Sequence, residues 1–263
     1  MQNRGFTLIE LVITLVVLAI LAVGVTSYIG IGASMYSDTA QREQLLGQSR
    51  FVAERMLREL RNAAPNSIRV QQQAGIMSCI EFSPVAAAGF YSVAPIKPDN
   101  HAKLELNLYN WQAGLLNKAF LIYPLNPSDY YATSNARIEL SGAVVTNSAD
   151  ITTPAQGATV KLSLNSPHSF EHQSPQKRFY IVDPPVSYCA ANGQIRRLVG
   201  HNYNTGLPII GSGVLMAESV RRAEFKILPA VLTRNAVVNM LLVFGPEGSD
   251  LFFNYEVHIP NVP

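Results

Sequence analysis

The hydrophobic pattern is most pronounced at the N-terminal end of the chain. In residues 6–31, Glu10 is the only side chain that is charged at neutral pH. A helix of this length would span about 39 Å, which exceeds the roughly 30 Å of a bilayer core. The run is too long, and the basic part before it too short, for a secretory signal peptide. It therefore predicts a transmembrane helix over residues 6–31.

An amphipathic pattern follows over residues 32–64. Apolar or small residues recur there every three or four positions, which places them on one helical face. These residues are Leu45, Ser49, Val52, Met56, Leu60 and Ala63. Arginine and glutamate side chains occupy the other sides. Because the first proline of the chain is Pro65 and proline ends a helix, we predict one helix over residues 6–64 whose second half packs against a globular domain.

A different pattern begins at Pro65. Short runs rich in β-branched and aromatic residues alternate with prolines and polar turn residues, which predicts β-strands. Ala191-Asn192-Gly193 is the clearest hairpin turn, and Gly245-Pro246-Glu247-Gly248 predicts a second one. Residues 214–222 predict a short helix or a bend. Residues 65–263 are therefore expected to form one β-rich domain.

Together these patterns predict an α+β fold. A long N-terminal α-helix, with its first half transmembrane, is expected to pack on a C-terminal antiparallel β-sheet domain. The apolar stripe of the helix needs a partner, and the two strongest predicted strands, residues 237–244 and 251–259, offer one. The part after the helix is long enough to bury a core of its own.

Glu10 interrupts the apolar run near its start. A carboxylate at membrane depth costs about 2.5–3.5 kcal/mol on insertion scales, so such a residue is expected to have a function. If the chain were cut between Gly5 and Phe6, the new amine would lie four residues before Glu10. Pairing the amine with the carboxylate would offset both penalties, either within one helix or between neighbouring helices.

The residues around this point resemble a known processing site. A short basic leader, the sequence Gly5-Phe6-Thr7-Leu8-Ile9-Glu10-Leu11-Val12 and an unbroken apolar run are similar to type IV prepilins, the subunits of type IV pili and type II secretion pseudopili. The resemblance implies that a prepilin peptidase removes residues 1–5 and that Phe6 is N-methylated. From the cost of its charge, we predict that Glu10 acts in assembly of the fibre and not in membrane insertion or cleavage. The resemblance also implies other pilin subunits and the inner-membrane assembly platform as partners. An ordinary membrane anchor is the alternative.

Shorter motifs in the remainder are similar to those of minor pilins and J-type pseudopilins of the PilW class. The motifs are Cys79-Ile80-Glu81-Phe82, Val186-Ser187-Tyr188-Cys189, Gly193-Gln194-Ile195-Arg196-Arg197 and Pro260-Asn261-Val262-Pro263. The strongest resemblance is to the MshO-type minor pilins of the mannose-sensitive haemagglutinin (MSHA) pilus. It implies a non-catalytic structural subunit that helps to initiate pilus assembly. The alternatives are a type II secretion pseudopilin and a tip adhesin that binds a ligand through loops 84–103 or 124–157.

Charge and cysteine content bear on the compartment. The formal net charge is +2, or +1 without Arg4, so nothing in the charge favours nucleic acid as a partner. The positive-inside rule keeps the leading end in the cytoplasm, so the helix is expected to be a single-pass anchor in the inner membrane and the domain to be periplasmic. After assembly, the chain would lie in the fibre at the cell surface. In an oxidising compartment Cys79 and Cys189 are expected to form a disulfide; two buried free thiols are the alternative.

No combination of residues predicts catalysis, a cofactor or a metal. His168 and His172 are four residues apart, but nearby prolines argue against a helix, and a zinc site would need a third ligand. We expect both histidines on the surface or in loops. Nucleotide-binding and hydrolase motifs are absent from the sequence. The protein is therefore not expected to be an enzyme.

Two further groups of side chains have both a functional and a structural interpretation. Tyr91, Tyr130 and Tyr131 would form an exposed aromatic patch if they bind a ligand, but core or strand-edge packing is the more common use of such residues. Arg196 and Arg197 would contact phosphate or a neighbouring subunit if they are functional. A solvated strand end is the expected interpretation of this pair.

Overall fold

The structure is a computed structural model, and it describes most of the chain. The described residues are 7–73, 77–132, 134–146, 159–207, 213–229, 234–248 and 250–259. Gly5 and Phe6 of the predicted cleavage site, and the motif at residues 260–263, lie outside them. The chain divides into two compact units, residues 1–47 and 48–263. The predicted α+β class is confirmed, because a long N-terminal helix precedes a β-rich part built from antiparallel sheets.

Helix α1 covers Leu8–Leu60 and contributes to both units. Over residues 8–44 its apolar side chains are exposed, and an 18-residue window has a mean hydropathy of 2.9 with none of its residues buried. By length and composition, this helix can cross a membrane. The hydroxyls of Thr14, Thr26 and Ser34 donate hydrogen bonds to backbone carbonyls about one turn earlier, so they add few unpaired polar groups to the apolar surface.

In the second unit, the last turns of α1 are packed into the core. Five of the six residues of the predicted face are buried, namely Ser49, Val52, Met56 and Leu60 within the helix and Ala63 just after it, and Leu45 is half-buried. The helix ends at Leu60, earlier than the end predicted from Pro65. Its last turn tightens, because the N–H groups of Asn62 and Ala63 donate to carbonyls three residues earlier. Ala63 then forms a β-bridge with Pro84, which takes the chain into the sheet region.

The second unit contains fifteen strands among its described residues, together with a short helix α2 (Ser128–Tyr131) and a 3-10 turn (Ala113–Asn117). The strands are β1 (Arg69–Gln73), β2 (Met77–Phe82), β3 (Val85–Val93), β4 (His101–Asn107), β5 (Ala119–Leu121), β6 (Arg137–Glu139), β7 (Val144–Val145), β8 (Thr159–His168), β9 (Arg178–Val182), β10 (Val186–Ala191), β11 (Gln194–Val199), β12 (Val214–Ala217), β13 (Val220–Leu228), β14 (Ala236–Phe244) and β15 (Leu251–Ile259).

These strands form three antiparallel sheets. The five-stranded sheet has the order β1-β2-β10-β11-β12, the seven-stranded sheet β6-β5-β9-β3-β4-β8-β7, and the three-stranded sheet β13-β14-β15. A large buried cluster lies at the seven-stranded sheet, where the ring of Phe120 packs 5.1 Å from Phe179 and 5.8 Å from Phe170. The pairing of β2 with β10 means that the five-stranded sheet joins residues from distant parts of the sequence.

Both predicted hairpins are confirmed. Asn192 and Gly193 join β10 to β11 with φ angles of 52° and 74°, the positive values that a tight two-residue hairpin requires. Residues 245–248 lie in the connection between β14, which ends at Phe244, and β15, which begins at Leu251, and the two strands pair in register along all nine residues of each.

The segment 214–222, predicted as a short helix or a bend, is mostly strand. It contains β12 and the start of β13, with a bend at Glu218 between them. Leu215, Met216 and Ala217 favour a helix by intrinsic propensity. That preference is weak, and pairing of β12 with β11 and of β13 with β14 overrides it.

Candidate functional site

The N-terminal motif places Glu10 in the first turn of α1. Its Oε2 atom accepts hydrogen bonds from the backbone N–H of Thr7 at 3.3 Å and from the Thr7 hydroxyl at 3.1 Å. N–H groups at a helix start lack intrahelical acceptors, and the helix dipole favours a negative charge there. Glu10 therefore caps the helix in which it lies. The Thr-x-x-Glu spacing of these residues is that of a capping box, which is the sequence signal for this contact.

This local contact leaves the charge of Glu10 uncompensated. Glu10 is exposed, and its contacts within the described part of the chain come from a neutral residue. Hydrogen bonds from threonine satisfy lone pairs of the carboxylate but do not neutralise it. In apolar surroundings the charge would still carry a desolvation penalty. Removing that penalty requires a cation from elsewhere.

Two of the sequence motifs meet in the five-stranded sheet. Cys79 of β2 lies directly opposite Cys189 of β10, and Glu81 lies opposite Ser187. Cys79 and Cys189 form a disulfide, with Cα atoms 4.2 Å apart. Because residues two apart in a strand share a face, the disulfide and the Glu81–Ser187 pair lie side by side. The bridge joins positions 110 residues apart and fixes the pairing of β2 with β10 covalently.

Glu81 is a fully buried carboxylate in a polar cluster. Its Oε1 accepts from Arg69 Nε at 2.9 Å and Nη2 at 2.6 Å, and its Oε2 accepts from the Ser187 hydroxyl at 2.6 Å. The Nε2 atom of His201 lies 3.0 Å from the same Oε2. Burial alone would raise the pKa of Glu81, but hydrogen bonds from His201 and Ser187 and the charge of Arg69 outweigh it and lower the pKa. Glu81 is thus held as a paired ion.

Ser187, His201 and Glu81 have the residue types of a hydrolase triad but not its geometry. In a triad, histidine contacts the serine through one ring nitrogen and the acid through the other. Here Nε2 of His201 faces both Ser187 Oγ, at 3.3 Å, and Glu81. Its Nδ1 is buried and has no partner among the described residues. Ser187 is only 1% exposed, so this cluster is a buried ion-pair network and not a nucleophilic site.

A second carboxylate connects the last turns of α1 to the same sheet. Glu59 accepts hydrogen bonds from Arg55 Nε at 2.8 Å, from the Tyr188 hydroxyl of β10 at 2.9 Å and from Arg197 Nε of β11 at 3.0 Å. Burial alone would raise the pKa of Glu59, but the bonds from Arg197, Arg55 and Tyr188 lower it. The contact with Glu59 also helps to raise the pKa of Tyr188, after burial. Glu59 therefore attaches the helix end to two strands.

Arg197 is thus not the solvated strand end that the sequence predicted. Its side chain is 18% exposed and is bound to Glu59. Arg196 donates to the Gln194 side chain at 3.1 Å and to the backbone carbonyl of Gly213 at 3.2 Å. The polar contacts of the helix end go to β10 and β11. An apolar contact of the helix with β14 and β15 stays a prediction.

The three tyrosines considered as a binding patch are core residues, in agreement with their structural interpretation. Tyr91, Tyr130 and Tyr131 are all buried. The hydroxyls of Tyr130 and Tyr131 donate to the carbonyls of Pro65 and Ser67, both at 2.7 Å. Burial raises the pKa of both hydroxyls, which remain neutral donors. These bonds connect the segment after α1 to helix α2.

Of the two segments considered for a ligand, 124–157 lines part of a cleft of about 210 Å³, whereas 84–103 contains β3 and the start of β4 and does not line it. Asp129 and Glu171 line it. Both carboxylates have partners, because Asp129 accepts two backbone N–H groups of its own loop and Glu171 pairs with Lys97. Charges that are paired within the chain are less available to hold a ligand.

The two histidines considered as metal ligands lie in different elements. His168 ends β8, where its Nε2 lies 3.0 Å from the carbonyl oxygen of Asn135 and its ring packs against Phe170. His172 is exposed and lines the cleft. Within the described ranges, the His, Cys, Asp and Glu side chains form no group of three that could hold a metal ion.

Comparison with known proteins identifies the first part of the chain. Residues 1–26 match the family model of the prokaryotic N-terminal methylation motif, which is type IV prepilin-like. The motif indicates a type IV pilin-like or pseudopilin subunit. With the apolar span of α1 it also indicates membrane anchoring, processing by a prepilin peptidase and assembly with other pilins. Neither the curated proteins nor the solved structures include a match to this chain.

Proposed function

We propose that this chain is a structural minor pilin of an MSHA-like type IV pilus and helps to initiate fibre assembly. The observation that carries the proposal is the methylation motif of residues 1–26 together with an apolar helix whose side chains are exposed. In a fibre, such a surface is covered by the helices of other subunits. The assignment to an MSHA-like system draws on the resemblance of the shorter motifs in the second unit.

The proposed processing begins with cleavage between Gly5 and Phe6 and N-methylation of the new amine of Phe6. Residues 6–31 then anchor the chain in the inner membrane, α1 continues to Leu60 and residues 65–263 lie in the periplasm. Gly5 has no side chain, so the peptidase can approach its backbone closely. We expect Gly5→Val to leave the precursor uncut, as seen by its size on a gel.

The matched control is Gly24→Val, which makes the same substitution inside α1, where an added Cβ has no atom within 4 Å. This variant should be cleaved normally. A mature-sized band from Gly5→Val would refute the assignment of the cleavage site.

The role of the protein is tested by deleting its gene. We expect surface pili to be lost or shortened, and expression of the intact chain to restore them. Loss of protein secretion with normal piliation would instead assign the chain to a type II secretion pseudopilus, which the methylation motif fits equally well. Normal piliation with loss of surface binding would assign it to a tip adhesin.

A further inference from the structure

The edges of the three sheets differ in how well they are protected. Native proteins normally shield edge strands by making them short, by bulges or by charged side chains. The described residues give six edge strands, and five of them follow this rule. β6, β7 and β12 have two to four residues, β1 is a short polar strand, and β13 has a register shift and carries Arg221, Arg222 and Lys226.

β15 is the exception. It has nine residues, carries a single carboxylate, Glu256, and no lysine, arginine or proline, and pairs with β14 without a register shift. Phe252 is 72% exposed, and the rings of Phe253 and Tyr255 stack at 6.2 Å. Among the described residues, β14 is its only strand partner. A long, regular, aromatic edge of this kind is a template for a further strand.

We propose that the outer edge of β15 pairs antiparallel with β15 of a second copy of this chain, across a two-fold axis at Tyr255. The surface at a two-fold interface must be self-complementary. The sequence of β15 is self-complementary when it is paired antiparallel with itself about Tyr255. The opposed pairs would be Leu251–Ile259, Phe252–His258, Phe253–Val257, Asn254–Glu256 and Tyr255–Tyr255. Apolar residues face apolar residues on one side of the sheet, and no like charges are opposed. The two three-stranded sheets become one sheet of six strands.

The neighbouring registers are less favourable. Moving the axis to Glu256 places that carboxylate opposite its own copy, and like charges directly opposite each other destabilise a strand pair. Moving the axis to Asn254 leaves His258 and Ile259 of both strands without a partner. Only the axis at Tyr255 uses all nine residues of each strand.

The test is a pair of opposite charges at Asn254, an exposed position. In the proposed register, Asn254→Lys would face Glu256 of the second copy, and Asn254→Asp would face it with a like charge, twice per dimer. We expect the dissociation constant of the dimer to be lower for the lysine variant, and the two variants to differ by about tenfold. The measurement is sedimentation equilibrium of the full-length chain in detergent.

A second measurement fixes the register. Cys79 and Cys189 are directly opposed in antiparallel strands and are bonded, so a Tyr255→Cys variant should form a disulfide-linked dimer on a non-reducing gel. Lys226→Cys on the protected edge should not. Two results would overturn the proposal. One is a chain that stays monomeric. The other is a dimer that has the same dissociation constant in both Asn254 variants and no cross-link at position 255, because such a dimer is held elsewhere, for example through α1.

Discussion

The two parts of α1 place glutamates in opposite surroundings. Over residues 8–44 the apolar side chains are exposed, and Glu10 has hydrogen bonds only from Thr7 within the described chain. Over residues 48–60 the apolar face is buried, and Glu59 receives hydrogen bonds from its own helix and from two strands. Within the single chain, the second part of the helix therefore has its apolar face buried and its Glu59 paired. The first part needs lipid and other subunits to cover its apolar side chains and to pair Glu10.

The largest effect, on assembly with other pilins, is expected from removing the uncompensated charge of Glu10. Glu10→Val should still insert and be cleaved, but it should fail to co-purify with partner pilins, because it removes the counter-ion that we propose for the processed Phe6 amine of a neighbour. The measurement is capture of partner pilins from solubilised membranes. Thr7→Val is the control, since it removes the hydroxyl contact and keeps the charge. Normal co-purification and piliation of Glu10→Val would reduce Glu10 to a helix cap.

The next largest effect is expected from removing the disulfide, which should lower the free energy of unfolding of the second unit. In the chain-entropy model, a bridge that closes a loop of this length stabilises by about 4–5 kcal/mol. Replacing both Cys79 and Cys189 with alanine should lower the free energy of unfolding by that order. Trp111 is the single tryptophan and is buried, so its fluorescence reports urea unfolding of the second unit in the full-length chain. Reduction of the intact protein should give the same loss, and a change below about 1 kcal/mol would contradict the model.

Breaking the buried ion pair of Glu81 should lower the free energy of unfolding slightly less than removing the disulfide does. Glu81→Gln keeps the shape of the side chain but leaves Arg69 without its counter-charge, and breaking such a pair costs about 3–5 kcal/mol. The same fluorescence assay measures the loss. Glu171→Gln is the matched control, because Glu171 pairs with Lys97 on the exposed surface, and it should not change stability measurably. Equal effects of the two variants would show that burial of Glu81 has no energetic consequence.

The local elements could be predicted from the sequence because their signals are local. The unbroken apolar run, the spacing of Val52, Met56 and Leu60, and the Asn192-Gly193 turn each specify a conformation over a few residues. The end of the helix was misplaced because the chain stops it by tight turns and the Ala63–Pro84 bridge, before proline has any effect.

The partners of the buried charges could not be predicted in this way. Glu81 is the one charged residue in β2, which marks it as unusual, but its partners Arg69, Ser187 and His201 lie 12, 106 and 120 positions away. Arg69 lies opposite Glu81 because β1 pairs with β2, whereas Ser187 lies opposite it because β2 pairs with β10, a long-range pairing that no local pattern specifies. The solvated position predicted for Arg197 is wrong for the same reason, since its partner Glu59 lies 138 positions earlier.

The smallest of the expected effects is a loss of stability at acidic pH. The pKa values of Glu59 and Glu81 are both lowered, because hydrogen bonds and cationic partners outweigh burial. A carboxyl with a lowered pKa in the folded state contributes stability that is fully present above its unfolded pKa. This contribution is lost as the pH falls through the folded pKa, since the unfolded chain then binds more protons.

The free energy of unfolding should therefore be nearly constant above about pH 5 and should fall below the ordinary glutamate pKa of about 4.3. The double variant Glu59→Gln and Glu81→Gln should show a shallower fall between pH 5 and pH 3, because two of the protons taken up on unfolding are gone. Urea unfolding followed by Trp111 fluorescence at several pH values measures both curves. Parallel curves would show that other carboxylates cause the acid sensitivity, and that the junction of α1 with β10 and β11 is held by packing and not by charge.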